Sequence, residues 1–97
     1  MQVVKRDGKF AEYDRTKIAV AIGKANAEVE EKERASEKEI KEILDFIEHK
    51  GRKRMLVEDI QDIIEERLMA YGHYELAKKY IIYRFTRALI RKANTTD

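Results

Sequence analysis

The sequence predicts an α+β domain that is mainly α: an N-terminal β-hairpin and one further short strand laid over four helices. Three observations point there. A short segment of extended character closes around Asp7-Gly8 at the start of the chain. Four later stretches place apolar residues at helical spacing, each lining up one buried face. No proline interrupts any of them, and the near balance of 43% hydrophobic and 41% charged residues suits helices with one dry and one wet side.

The elements follow in order. Val3 to Arg6 and Lys9 to Tyr13 read as the strands of the hairpin, with Asp7-Gly8 as a two-residue turn whose central positions both take positive φ. Asp14 is placed to cap a first helix from Arg15 to Ala27, with Ile18, Ala21, Ile22 and Ala25 on one face. Glu28 to Arg34 is a charged, solvated connection. Ser36 and Glu39 form a capping box for a second helix, which buries Ile40, Ile43, Leu44 and Ile47 and ends at Gly51. Arg54 to Val57 is extended in character and supplies the third strand. A third helix from Glu58 buries Ile60, Ile63, Ile64 and Leu68 and stops at Gly72. A fourth, Tyr74 to Lys92, counts Leu76, Tyr80, Tyr83 and Ala88 among its core positions. Residues 1–93 make the domain, and the polar tail 94–97 reads as the start of a linker to a downstream domain.

Several function classes drop out. The chain has no cysteine, which removes a disulfide framework, a thiol nucleophile and a zinc ribbon, and fits a reducing cytoplasm. Its longest apolar runs fall far short of the roughly 20 residues that span a bilayer, and no apolar signal region follows Met1, so a cytoplasmic protein without a membrane partner is expected. His49 and His73 are far apart and lack neighbours at ligand spacing, so no metal site is expected. There is no Walker loop, Rossmann fingerprint or Ser/His/Asp arrangement, and no catalytic residue is assigned.

Charge distribution says more than net charge. With 21 basic and 19 acidic residues the total is only +2. The cations nevertheless gather in three clusters: Lys5, Arg6 and Lys9; Arg52, Lys53 and Arg54; and Arg84, Arg87, Arg91 and Lys92. Local basic clusters on a near-neutral chain suit a small polyanion such as a triphosphate. A long nucleic acid would call for a larger positive excess.

Three constellations carry this chemistry, each beside a plainer account. Val4-Lys5-Arg6-Asp7-Gly8 sets two cations at a tight turn, and alternation along a strand lets one reach beneath the hairpin. Alone it equally fits a solvated basic hairpin. Lys17 stands in the first turn of the first helix, where a cation opposes the macrodipole unless an anion lies nearby. Alone it fits a side chain pointing to water. Arg84, Arg87 and Arg91 share one face of the last helix, and arginine forks grip phosphate two-pronged. The plainer account is a basic outer face paired with acid on the third helix.

Together these residues resemble the ATP-cone domain over almost the whole chain. Val3-Val4-Lys5-Arg6-Asp7-Gly8, Tyr13-Asp14 and Lys17-Ile18 match its opening pattern. Val57, Asp59-Ile60 and Ile63-Ile64 look like its third-helix segment, and Ala77, Tyr80, Tyr83-Arg84 and Arg87 like its last helix. The resemblance implies a four-helix bundle capped by a small three-stranded sheet. It implies ATP or dATP as an allosteric ligand, accompanied by Mg. Lys5 and Arg6 would contact phosphates, with Val4 lining the site. The segment Ala11 to Lys17, including Glu12 and Tyr13, would wrap base and sugar, with Asp14 and Lys17 most direct and Ile18 also at the site. Val57 and Gln61 would contribute from the third helix, and Arg87 with Arg84 would complete the phosphate site. The sequence departs from the family pattern at Ala11, often glutamate, at Val57, often threonine, and at Gln61, often histidine or aspartate.

In ribonucleotide reductases such a domain sets overall activity: ATP implies an active enzyme and dATP an inhibited one of altered oligomeric state. The tail 91–97 looks like a junction into a reductase body, most like the anaerobic triphosphate reductase type. Partners implied are ATP or dATP, a second copy, or reductase subunits. Two alternatives stand beside this. A transcriptional repressor of reductase genes also carries an ATP-cone, but behind a four-cysteine zinc ribbon, and this chain opens on the hairpin without cysteine. A helical protein-interaction module would use the basic face against an acidic partner.

Overall fold

The computed structural model describes residues 1–51 and 53–94. Arg52 of the second basic cluster, the side chains of residues 92–94 and the tail residues Thr95 to Asp97 lie outside the described residues. Four helices and a three-stranded sheet form the domain: β1 Gln2–Val4, β2 Phe10–Glu12, α1 Arg15–Asn26, α2 Glu37–Lys50, β3 Arg54–Leu56, α3 Val57–Ala70 and α4 Tyr74–Asn94. This is the expected mainly helical α+β architecture.

The hairpin closes differently from the two-residue turn expected. Lys5 N donates to Lys9 O at 2.8 Å and Gly8 N donates to Lys5 O at 2.9 Å, so Arg6, Asp7 and Gly8 form a three-residue connection. Only Gly8 takes positive φ, +83°; Asp7 does not. That is the arrangement of a turn followed by a glycine bulge, with Asp7 Oδ1 accepting from Lys9 N at 2.9 Å. The strands are correspondingly short: Arg6 belongs to the connection, and Lys5 pairs with Lys9 at its base.

β1 lies in the middle of the sheet, antiparallel to β2 and parallel to β3. Val3 stands opposite Ala11 and Met55; Val4 stands opposite Phe10 and Leu56. Alternation puts the first trio toward the helices. The second trio occupies the outer face, where Phe10 and Leu56 are about half exposed.

The helices start and stop where local chemistry dictates. Asp14 Oδ1 accepts from Thr16 N at 3.0 Å and caps α1. The Ser36–Glu39 capping box opens α2 with both reciprocal bonds present. α3 begins one residue earlier than expected, directly after β3. It ends at Gly72, φ +86°, with His73 N donating to Leu68 O and Gly72 N to Met69 O, a left-handed stop that turns the chain into α4. The connection 28–34 is solvated as expected, with Val29 and Glu33 partly buried, and contains a short helical turn, Glu31–Glu33. Just after it, the Asn26 side chain clasps both backbone groups of the buried Ala35 at 3.0 and 3.1 Å.

Ile22, Ile43, Ile47, Ile64, Leu68 and Leu76 are fully buried and form the centre of the core. Ile18, Ala21, Ile40, Tyr83 and Ala88, expected as core positions, are only partly buried. All but Ile40 border a cleft between sheet and helices.

Candidate functional site

The hairpin overhangs α1, α3 and α4 and encloses with them a cleft of about 1010 Å³. The residues singled out from the sequence line it, except Val4. Val4 occupies the outer row of the sheet with Phe10 and Leu56, because Val3 already takes the inward position. Lys5 and Arg6 enter from the turn, and Ala11, Glu12, Tyr13 and Asp14 from β2 and its exit. Lys17 and Ile18 come from α1, Val57 and Gln61 from α3, and Arg84 and Arg87 from α4.

The cations divide into two groups. The side chains of Lys5, Lys17 and Arg87 are exposed and make no ion pair among the described residues. They stand on the turn, the first helix and the last helix, so three separate elements point positive charge at one space. The N-terminus of α1 borders the cleft as well, with the Asp14 carboxylate capping it and no acid in the first turn itself. Arg6 and Arg84 are engaged. Arg6 Nε donates to Glu58 Oε1 at 3.0 Å and Arg6 Nη2 to Gln61 Oε1 at 3.4 Å. Arg84 Nε donates to Glu65 Oε1 at 2.9 Å, with Nη2 on the same oxygen. For Arg84 the pairing with third-helix acid, the plainer account from sequence, therefore coexists with a place on the cleft wall.

The walls are apolar and aromatic. Ile60, Ile64 and Tyr80 are buried beneath, and Tyr83 and Phe85 flank them on α4. Burial is the main cause that pushes the Tyr80 phenol up to about 12, and the Glu65 carboxylate acts in the same direction. Tyr13 is held well above the ordinary tyrosine value, first by burial and then by its hydrogen bond to Glu48. Arg15 turns away to α2, where Nη1 meets Glu48 Oε1 and Nη2 meets Asp45 Oδ1, both at 3.1 Å. Among the described residues no group of three or more His, Asp or Glu side chains is placed to hold a metal ion.

Val3, Thr16, Val20 and Phe85 also line the cleft; the sequence reading named Val3 and Phe85 only within longer motifs and Thr16 only within the Ala11 to Lys17 segment, and it did not name Val20. Two of these had a signal: Val3 shares the inward face with Ala11, and Val20 lies one turn beyond Thr16 on the helix that starts at the site. Phe85 had none, since an exposed phenylalanine beside arginines reads as surface.

The arrangement suits a ligand with a polyanionic end and a flat apolar end. The cations offer donors to the first, and the aromatic and aliphatic walls contact the second. Comparison with known proteins agrees in kind. The family model described as "ATP cone domain" matches residues 1–89. The chain is 31% identical to the ribonucleoside-diphosphate reductase subunit alpha of Chlamydia trachomatis, an alignment spanning 100% of this chain and 10% of that protein. It is 34% identical to a vitamin B12-dependent ribonucleoside-diphosphate reductase of Thermoplasma acidophilum, spanning 94% and 12%. It is 36% identical to the anaerobic ribonucleoside-triphosphate reductase of Haemophilus influenzae, spanning 93% and 13%. The chain thus spans about a tenth of the length of these relatives, and the likeness is shared by three types of reductase.

Proposed function

The chain belongs to the ATP cone domain family, and from that premise we propose that it is an allosteric domain that binds ATP or dATP in the cleft and controls the overall activity of a ribonucleotide reductase. The observation that carries this reading is the convergence of Lys5, Lys17 and Arg87, from three elements and without ion-pair partners among the described residues, on one cleft with aromatic walls. The triphosphate lies against these cations, with Arg6 and Arg84 beside it. The base and ribose lie between the Ala11–Asp14 segment and the apolar side of α1, α3 and α4. Mg travels with the phosphates and keeps much of its water, so a dedicated protein cage is unnecessary. The segment itself contributes binding and not catalysis. Residues 1–93 form the regulatory unit and 94–97 lead toward the body of a cytoplasmic reductase.

Control acts through assembly, by contact with a second copy or with reductase subunits. In support, α4 leaves Ile82, Phe85 and Leu89 largely exposed at i, i+3 and i+7, an apolar strip beside the nucleotide wall. ATP and dATP differ by one hydroxyl, so both bind, dATP at least as tightly, and dATP favours the larger assembly.

Calorimetric titration with ATP and dATP, combined with melting curves, tests the reading. A ligand at 100 times its Kd stabilises by about 2.7 kcal/mol, which for a domain of this size is on the order of 10 °C or more. No heat, and no melting shift at millimolar nucleotide, would sink it. Identical sedimentation of the chain without ligand, with ATP and with dATP would remove the assembly switch from this segment.

A further inference from the structure

We propose that Glu58 and Glu65 of α3 compete with phosphate for Arg6 and Arg84, and thereby set the nucleotide concentration at which the cleft fills. This inference rests on the nucleotide reading of the cleft. Glu58, Gln61 and Glu65 recur at i, i+3 and i+7, so they form one stripe along α3. Each carries an acceptor oxygen that holds an arginine of the cleft wall: Glu58 and Gln61 hold Arg6, and Glu65 holds Arg84. In contrast, Lys5, Lys17 and Arg87 line the same cleft with no carboxylate attached among the described residues.

Arginine binds phosphate best with two parallel N–H groups. In Arg84 the Nε–Nη2 edge is already spent on Glu65. That pair is well shielded, at 23% and 14% side-chain exposure, whereas the Arg6–Glu58 pair is open, at 61% and 43%. A phosphate arriving at either arginine must displace a carboxylate or share the cation with it. In both cases two anions stand close together, which costs Coulomb energy that the free lysines do not impose. The stripe therefore opposes anion entry, while the unpaired cations favour it. The resulting affinity is lower than Lys5, Arg6, Lys17, Arg84 and Arg87 would give without these carboxylates.

Glutamine tests this cleanly, because it keeps an acceptor oxygen for the arginine and removes only the charge. If Glu58 and Glu65 act by charge, the gain on neutralising them grows with ligand charge and is blind to the ribose. Titration calorimetry would compare the chain with Glu58→Gln and Glu65→Gln, using ATP, dATP and AMP as probes. We expect each variant to bind ATP and dATP more tightly by a common factor of at least about threefold, the scale of one added charge contact near a surface, and AMP by a smaller factor. Variants that bind ATP as the parent does, or more weakly, would overturn the competition and leave Glu58 and Glu65 as positioning residues in a genuine nucleotide site. Equal gains for ATP and AMP would overturn it too. If neither the parent nor the variants bind ATP, the reading of the cleft itself fails and the inference falls with it. Should Glu65→Gln not fold, Glu58→Gln in its exposed pair decides the matter alone.

Discussion

The Tyr13 hydroxyl donates to Glu48 Oε2 at 2.8 Å across 35 residues of sequence, fastening a wall residue of the cleft to α2. Removing the hydroxyl in Tyr13→Phe leaves the ring in the wall and the Glu48 carboxylate short of one donor. The cost should be about 1 kcal/mol, or roughly 4–8 °C in melting temperature, with ATP affinity unchanged. A variant that melts normally but binds ATP poorly would instead give the hydroxyl to the ligand.

Lys5→Ala, Lys17→Ala and Arg87→Ala should each lose about 1.5–3 kcal/mol of ATP binding, the scale of a charge-assisted hydrogen bond. Their unliganded melting should hardly move, since exposed cations with no ion pair among the described residues contribute little to stability. Arg15→Ala should do the reverse. Its guanidinium spans Glu48 and Asp45 on α2, so melting falls modestly and ATP affinity stays. Titration and unliganded melting of all four variants check the split. Equal loss of affinity in Arg15→Ala would defeat it.

Val4 and Ala11 belong to adjacent strands but opposite faces of the sheet. Val4→Thr keeps the β-branched shape on the outer face and should leave ATP binding as it is. Ala11→Leu pushes three carbons into the cleft and should weaken binding by roughly 1–3 kcal/mol, the usual cost of overfilling a packed space. Titration of the two variants decides, and a loss in Val4→Thr equal to that in Ala11→Leu would place the ligand on the outer face.

Alkaline stability should depend on the buried phenols. Tyr80 is 4% exposed, and its pKa is pushed up from the ordinary 10.0 to about 12. The unfolded chain releases this proton near pH 10 and the folded chain does not. The associated stability is therefore complete below pH 10 and is lost as the pH rises toward 12, at up to about 1.4 kcal/mol per pH unit for one group. Tyr13, shifted in the same direction, adds to the slope. Melting curves between about pH 9 and pH 11 should steepen downward, and Tyr80→Phe should flatten them. An unchanged slope in that variant would remove Tyr80 as the cause.

The parts of the fold legible in the sequence were those fixed by neighbours along the chain. Asp14, the Ser36–Glu39 box and Gly72 each act within one turn, and each acts as expected. The hairpin was legible as a hairpin, but Arg6 joins its connection because Asp7 keeps negative φ and the glycine alone bends. The parallel pairing of β1 with β3 joins residues more than 50 apart, and no local pattern announces it. At the site, residue type and spacing marked Lys5, Lys17 and Arg87 one by one, and only the family resemblance joined them in a single site. Type and spacing could not reveal that Glu65 holds Arg84, since that contact depends on how α3 and α4 cross. Nor could they separate Val4 from Val3, because inward and outward positions exchange when a strand shifts by a single residue.

The left-handed stop at Gly72 turns α3 directly into α4, which then runs 21 residues to Asn94. At 1.5 Å per residue the helix is about 30 Å long from Tyr74, and Arg87 sits about 20 Å along it. Were α4 to tilt as a rigid rod about that tight end, a sideways push at Arg87 would arrive at Asn94 magnified about one and a half times, with the helix itself unbent.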